Sequence, residues 1–276
     1  MAAAGTVVSL WRYPVKSMLG EELNSSYITE RGLLGDRVYA VVDKQTGKVA
    51  SAKNPRKWGK LFDCRSIFVD SPNDIDVIPP VRITFPDGSN ILSDHKQNEI
   101  NSSLSKVFDR EVSLMKASNY EEPSYEEYWP DIDGLSRRNQ VTDEAMPSKT
   151  FFDIAVIHIL TTSINRLRES VQGRFEVRRF RPNIVVEPAS EEKNKKNDFV
   201  ENAWVGKKMT IGDDIVLNIA APCTRCVMIT LPQGDLPRDL GILSTVARYN
   251  EVHVGVYASV ERRGIIHRGD TIQFER

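Results

Sequence analysis

Apolar positions in this chain fall mostly in short runs broken by glycine, proline or charged residues, the rhythm of strands joined by tight turns. In the first half, runs at 7–11, 27–29, 38–43, 49–52, 67–70, 81–85, 89–92 and 112–115 predict strands. Gln45-Thr46-Gly47 predicts a hairpin joining 38–43 to 49–52, and Pro86-Asp87-Gly88 supplies another turn. The second half opens with an apolar run at 151–160 interrupted by Asp153 and His158. Thr161-Thr162-Ser163 then precedes 164–170, an N-cap signal for a short helix. Further strands are predicted at 184–186, 205–211, 215–219, 227–230, 253–260 and 271–274. Their turns fall at Gly206, Gly212-Asp213, Gly264 and Gly269-Asp270. Segment 118–149, with Pro123, Pro130 and Pro147, reads either as a surface linker or as a loop packed near a cleft. Tyr125, Tyr128 and Trp129, costly to leave in water, favour the loop. Residues 190–198, dominated by charge, read as a solvated loop. The whole pattern predicts a mainly β protein of two barrel-like domains, 1–118 and 119–276, with a few short helices. The N-terminal strand is also a candidate to pack against the second domain.

Composition narrows the function classes. The chain has 276 residues, 40% apolar and 27% charged, enough to bury a real core. Lysine and arginine number 37 against 38 aspartates and glutamates, a formal net charge of -1. That balance excludes a globally basic nucleic-acid binder, while leaving room for a local basic pocket. No run approaches the ~20 apolar residues that span a bilayer, and the start lacks the order of a signal peptide. The three cysteines, Cys64, Cys223 and Cys226, are too few for a disulfide framework or for the four thiolates of an iron–sulfur cluster. A reduced, cytoplasmic setting and a monomer without membrane or nucleic-acid partners are the expectation.

Four segments carry candidate chemistry. Cys223-Thr224-Arg225-Cys226 is compatible with half a zinc site, a redox pair, two inert cysteines, or one thiolate acting as soft metal ligand or nucleophile. Arg225, between the cysteines, is expected to favour a thiolate by lowering its pKa. Arg178-Arg179-Phe180-Arg181-Pro182-Asn183 places three arginines before a strand, and if extended, Arg179 and Arg181 share a face. Arginine meets phosphate bidentately, and Asn183 offers a donor and an acceptor to a heterocycle edge. Tyr13-Pro14-Val15-Lys16-Ser17 adds a lysine and a hydroxyl after the first strand. In Gly32-Leu33-Leu34-Gly35-Asp36-Arg37 the spacing fits neither a dinucleotide fingerprint nor a P-loop, and Arg37 is the candidate anion ligand with Asp36 to orient it. Basic donors and a cysteine gathered from distant points suit a phosphorylated cofactor carrying a soft-ligated metal.

Taken together, WRYPVKS at 11–17, GLLGDRVY at 32–39, FDIAVIHILTTSI at 152–164, RRFRPNIVV at 178–186 and APCTRCVMIT at 221–230 make the chain resemble the MOSC superfamily. The resemblance is to its two-domain members with an N-terminal MOSC β-barrel, the amidoxime-reducing component group and its bacterial relatives. It implies the molybdenum cofactor (molybdopterin with molybdenum), with Cys226 as the protein ligand to the metal. It implies Lys16, Ser17, Arg37, Arg181 and Asn183 at phosphate and pterin, Thr224 near the metal, and Thr161 and Thr162 on the cofactor side. Asp153 matches an aspartate near the substrate, for proton delivery or orientation. The implied reaction is reduction of N-oxygenated small molecules such as amidoximes and hydroxylamines. The sequence lacks the cysteines of the ferredoxin domain fused to some bacterial relatives, and shows no N-terminal anchor like that of the mitochondrial ones. Electrons are therefore expected from a separate flavin reductase, ferredoxin or cytochrome b5-like protein. The alternative is a cofactor carrier or sulfur-transfer (persulfide) protein without reductive turnover. At family level the resemblance also brings an association with pyridoxal phosphate.

Overall fold

The bulge in the first strand shows how sequence becomes barrel. In β1 (Gly5–Arg12) the register against its neighbour shifts between Val7 and Ser9, so Val7 and Leu10 both turn inward although three residues apart. The structure is a computed structural model that describes residues 3–74, 77–133, 135, 137–152, 156–162, 164–165, 167, 173–190 and 199–275. It is mainly β, as the patterning predicts.

Seven strands close into a barrel. They are β1, β12 (Ile157–Thr161), β13 (Ile184–Pro188), β14 (Lys208–Ile211), β15 (Ile215–Thr224), β16 (His253–Arg262) and β18 (Thr271–Phe274). Around the ring the order is β13, β12, β16, β15, β14, β18, β1, and β1 returns to β13. Pairing is antiparallel except between β12 and β13. The N-terminal strand therefore supplies one stave of a barrel otherwise built from the second half. Its interior is Val7, Leu10, Ile157, Ile159, Ile184, Val186, Trp204, Leu217, Ile219 and Val256, all buried.

β2 (Glu21–Leu23) extends from β1, and β3 (Ser25–Thr29) pairs with β4 (Gly32–Leu33) and with β17 (Gly264–His267). The remaining first-half strands are β5 (Tyr39–Asp43) paired with β9 (Val112–Lys116), and the meander β6 (Arg65–Phe68), β7 (Val81–Thr84) and β8 (Asn90–Leu92). They surround a separate core that includes Val15, Met18, Trp58, Leu61, Ile83 and Leu104.

The hairpin between 38–43 and 49–52 forms as a short one: around the antiparallel Val42–Val49 bridge the Asp43 N–H donates to the Lys48 carbonyl and the Ala50 N–H to the Val41 carbonyl, while β5 pairs along its length with β9. Three local expectations change. Segment 118–149 is not a linker: β10 (Ser124–Trp129) and β11 (Gln140–Ala145) form an antiparallel hairpin whose Tyr125 packs into a core with Val49 and Phe151. Residues 227–230 form a 3-10 turn rather than a strand. Two helices escaped the pattern, α1 (Gln97–Phe108) and α2 (Gly241–Asn250). α1 buries Ile100, Leu104 and Phe108, a one-per-turn stripe too sparse to stand out between polar residues.

A small cluster joins the halves where the candidate residues lie. Ala52 and Phe62 of the first half pack with Val227 and Leu231, just beyond Cys226.

Candidate functional site

Two cations of this region, and the serine beside a third, sit on unusual backbone. Ser17, Arg37 and Arg181 have φ of 62°, 49° and 52°, the left-handed region that side chains with a Cβ seldom occupy. Such strain persists only where surrounding structure over-determines it, and it gathers at ligand clamps. Ser17 is held by the Ala52 N–H, which donates to its Oγ at 3.1 Å. Lys16, buried, donates from Nζ to the Phe151 carbonyl at 3.0 Å. Arg37 is ion-paired with Asp36, and its guanidinium lies 4.3 Å from the Phe152 ring centroid. Arg181 donates from Nη1 to the Met18 carbonyl at 2.7 Å, across the seam between the halves. Lys53 joins them, donating to Tyr125 Oη at 2.9 Å and to Glu127 Oε2 at 3.2 Å.

The cysteine pair lies where β15 ends and the 3-10 turn begins. Arg225 points at Cys223, donating from Nη1 to Sγ at 2.6 Å and from Nη2 to the Phe180 carbonyl at 2.5 Å. The same Nη1 stands 3.3 Å from His158 Nε2, while His158 Nδ1 is 3.4 Å from the Arg181 carbonyl. Burial, then the Arg225 charge, holds His158 well below the ordinary imidazole range, so it is neutral. An accepting Nε2 and a donating Nδ1 fit that state. Burial also keeps the Tyr257 phenol protonated, well above its usual range.

Cys226 is half-buried, and its thiol is pushed up to about 12 by burial first and by the Glu127 carboxylate second. This corrects the expected role of Arg225. Its guanidinium is spent on Cys223 and Phe180, and desolvation outweighs its charge at Cys226. Cys64 is buried in the first-half core and plays no part here. Among the described residues no three of His, Cys, Asp and Glu gather as a metal cluster, so the zinc reading of Cys-x-x-Cys finds no third ligand there.

Lys16, Ser17, Arg37, Arg181, Thr224 and Cys226 line one cavity. Asn183 does not reach it: its Oδ1 accepts the His158 N–H at 3.1 Å and its Nδ2 donates to the Trp11 carbonyl at 3.3 Å. Thr161 donates to Glu201 Oε2 at 2.6 Å inside the barrel, and Thr162 hydrogen-bonds Glu187. Asp153 lies outside the described residues. Arg179 and Arg181 do not share an extended face, because residues Val177–Phe180 form a 3-10 turn. Arg179 instead donates to the carbonyls of Arg174, Ile229, Leu231 and Pro237, at 2.8–3.3 Å, and so staples the turn after Cys226 in place.

Lys53 and Tyr257 also line the cavity and carried no motif signal, and Phe152 and His158, which line it too, lie in the 152–164 motif but are not among the site residues that it implies. The one trace was His158, an interruption in an otherwise apolar run. The donor set fits an anionic group that brings a soft metal. Six cationic side chains, Lys16, Arg37, Lys53, Arg179, Arg181 and Arg225, line a cavity whose half-buried thiol is Cys226; Arg179 is spent on carbonyls, and the buried Arg225 Nε has no partner.

This two-part architecture and cationic cavity define a class, and the chain belongs to the MOSC family. Residues 4–119 match the MOSC N-terminal beta barrel domain and residues 136–273 the MOSC domain. Among its relatives is mitochondrial amidoxime reducing component 2 of Rattus norvegicus, 22% identical, with 97% of this chain aligned to 82% of that one. The Homo sapiens protein of the same name is 25% identical over 97% of this chain and 83% of its own. The molybdenum cofactor sulfurase of Solanum lycopersicum is 25% identical over 90% of this chain but only 32% of its own length. These relatives support a molybdenum-dependent redox role in general terms. They overturn the cytoplasmic expectation, since six of them are amidoxime-reducing components named as mitochondrial. That expectation rested on cysteine usage and on the missing signal-peptide order and membrane span, and having too few cysteines for a disulfide framework does not separate one reducing compartment from another. No described helix is long and apolar enough to cross a membrane.

Proposed function

We propose that this protein is a molybdenum-cofactor-dependent reductase of N-oxygenated small molecules, fed with electrons by a separate redox protein. The observation that carries the reading is the convergence of Lys16, Ser17, Arg37, Arg181, Thr224 and Cys226, from four distant segments, on one cavity. Lys16, Ser17, Arg37 and Arg181 hold the phosphate-bearing part of the cofactor, Cys226 ligates the metal, and Thr224 stands beside it. Asn183 acts indirectly, fixing the His158 main chain. Thr161 and Thr162 brace the barrel wall through Glu201 and Glu187. When bound, the cofactor supplies a metal that exchanges two electrons with an N–O bond. Overall, the amidoxime, two electrons and two protons yield the amidine and water.

The protein's own residues define the reacting space. Arg225 ties Cys223 to the Phe180 carbonyl and so braces the strand end before Cys226. Neutral His158 leaves the arginines and lysines as the cations facing an anion. Cys226 would bind the metal as its thiolate, and the cationic side chains around the cavity would balance the added negative charge. Asp153 is assigned proton delivery or substrate orientation. The names of the amidoxime-reducing relatives support the substrate class. The same reading divides the chain into units 1–118 and 119–276, the first lending β1 to the second.

The test is turnover of a model amidoxime by protein isolated from a cofactor-producing host, with a chemical reductant as donor. Amidine formation lost in Cys226→Ser is expected. Cys223, gripped by Arg225, and the sulfurase relative favour a second reading as a cofactor carrier or persulfide protein. Persulfide on Cys223 or Cys226 without amidoxime reduction decides for that reading.

A further inference from the structure

The two arginines assigned to the anion come from remote loops, yet they meet the same ring. The Arg181 guanidinium lies 4.0 Å from the Tyr13 ring centroid and that of Arg37 lies 5.1 Å from it. Each also touches a second ring: Phe152 for Arg37 and, at 5.4 Å, Phe62 for Arg181. Tyr13 is the element common to both. Its main chain adds two further ties to Arg37. The Tyr13 N–H donates to Asp36 Oδ1 at 2.8 Å, and the other oxygen of that carboxylate pairs with Arg37. The Arg37 N–H donates to the Tyr13 carbonyl at 2.8 Å. Tyr13 thus fixes Arg37 through ring, amide and carbonyl, and fixes Arg181 through the ring.

Two like charges drawn toward one anion would otherwise splay when the anion is absent, and reassembling them would cost affinity. An aromatic ring counters this, because the negative lobes of its quadrupole attract guanidinium. The hydroxyl takes no part: Tyr13 is 3% exposed and its Oη has no hydrogen-bond partner. The ring is the working part of the residue.

We propose that Tyr13 is a positioning residue for anion binding, its ring holding Arg37 and Arg181 ready to meet one phosphate-class anion together. The proposal deepens the reading of the cavity as the seat of a phosphate-bearing cofactor, and it is tested without that cofactor or any turnover. Cofactor-free protein is titrated with inorganic pyrophosphate at low ionic strength by calorimetry. Wild type binds. Tyr13→Phe binds within about twofold of wild type, and Tyr13→Leu and Tyr13→Met bind about tenfold more weakly, the loss of two cation–ring contacts. NMR of the arginine Nε–H groups gives a second readout. Ring-current shifts at Arg37 and Arg181 persist in the Phe variant and fall in the Leu and Met variants to the part that Phe152 and Phe62 supply, with the larger change at Arg181, which lies closer to the Tyr13 ring. Wild-type affinity in a folded Leu variant overturns the proposal, as does a Phe variant as weak as Leu. A wild-type protein that ignores pyrophosphate overturns it too, and loss of fold in both Leu and Met variants assigns the ring to stability instead. Failure of amidoxime turnover alone, with these binding differences intact, counts against the reductase reading and leaves the positioning role standing.

Discussion

Cys223 and Cys226 stand three positions apart and live in different chemistry. Cys223 is buried under the Arg225 guanidinium, whereas Cys226 is half-buried and kept as a thiol by desolvation. In cofactor-free protein the alkylation rate of Cys226 by iodoacetamide, followed by mass spectrometry, is therefore expected to keep rising with pH well past 9.0, the midpoint of an ordinary thiol, because half-ionisation comes only at about 12. A rate already half-maximal near 9.0 contradicts the assignment. The cationic candidates were readable because arginine and lysine beside proline or glycine turns announce a loop with a purpose. Lys53 and Tyr257 were not, since each sits in an unremarkable run and gains its place only from the fold, and His158 showed only as an interruption of an apolar run. Asn183 looked like a ligand because its chemistry suits a heterocycle. In place, that chemistry satisfies buried main chain instead, which a sequence does not reveal.

Among the elements, β16 couples the barrel to the cavity through one glycine. Gly255 has φ +81°, and a Cβ there would stand 2.5 Å from His158 Nε2 and 2.6 Å from the Ile159 carbonyl. Gly255→Ala is expected to cost about 2–4 kcal/mol in urea unfolding, and a loss below ~1 kcal/mol would show that the wall gives way. The Gly255 N–H also donates to Glu201 Oε1 at 3.2 Å, while Thr161 donates to Oε2. Burial raises the Glu201 carboxyl above its ordinary 4.5. The folded state thus keeps a proton that the unfolded chain releases, so this group's contribution is full below pH 4.5 and declines as pH rises above it. Glu201→Gln carries no such proton. Unfolding measured at pH 4 and pH 7 should show the variant gaining on wild type as pH rises, and a constant gap contradicts a protonated Glu201. Strands were the legible elements, because their turns carry glycine and proline. The turn after Cys226 was not, since Val227, Met228 and Ile229 look like a strand until the Arg179 staple is seen.

At the scale of the whole molecule, the chain's first strand completes a barrel built from its second half. β1 pairs with β13 through Gly5–Pro188 and Leu10–Ile184, and with β18 through Gly5–Ile272. A fragment of residues 119–276 therefore exposes the edges of β13 and β18, and unpaired edges invite association. That fragment is expected to aggregate or to lack cooperative unfolding, and to recover when 1–118 is co-expressed. A monomeric, cooperatively folded fragment would show that β1 is dispensable. Two mainly β halves were visible in the rhythm of the sequence, but the crossing of β1 was visible only as an option, since register and partner are set by residues more than 170 positions away. The cavity lies at the seam made by that crossing, with Lys16 and Arg37 from one half and Arg181 and Cys226 from the other. The central claim is that this seam holds molybdenum through Cys226. X-ray absorption at the molybdenum edge, on wild type and Cys226→Ser isolated from a cofactor-producing host, tests it directly. The account predicts one fewer sulfur donor on the metal in the variant, and an unchanged sulfur shell, or no molybdenum in the wild type, contradicts it.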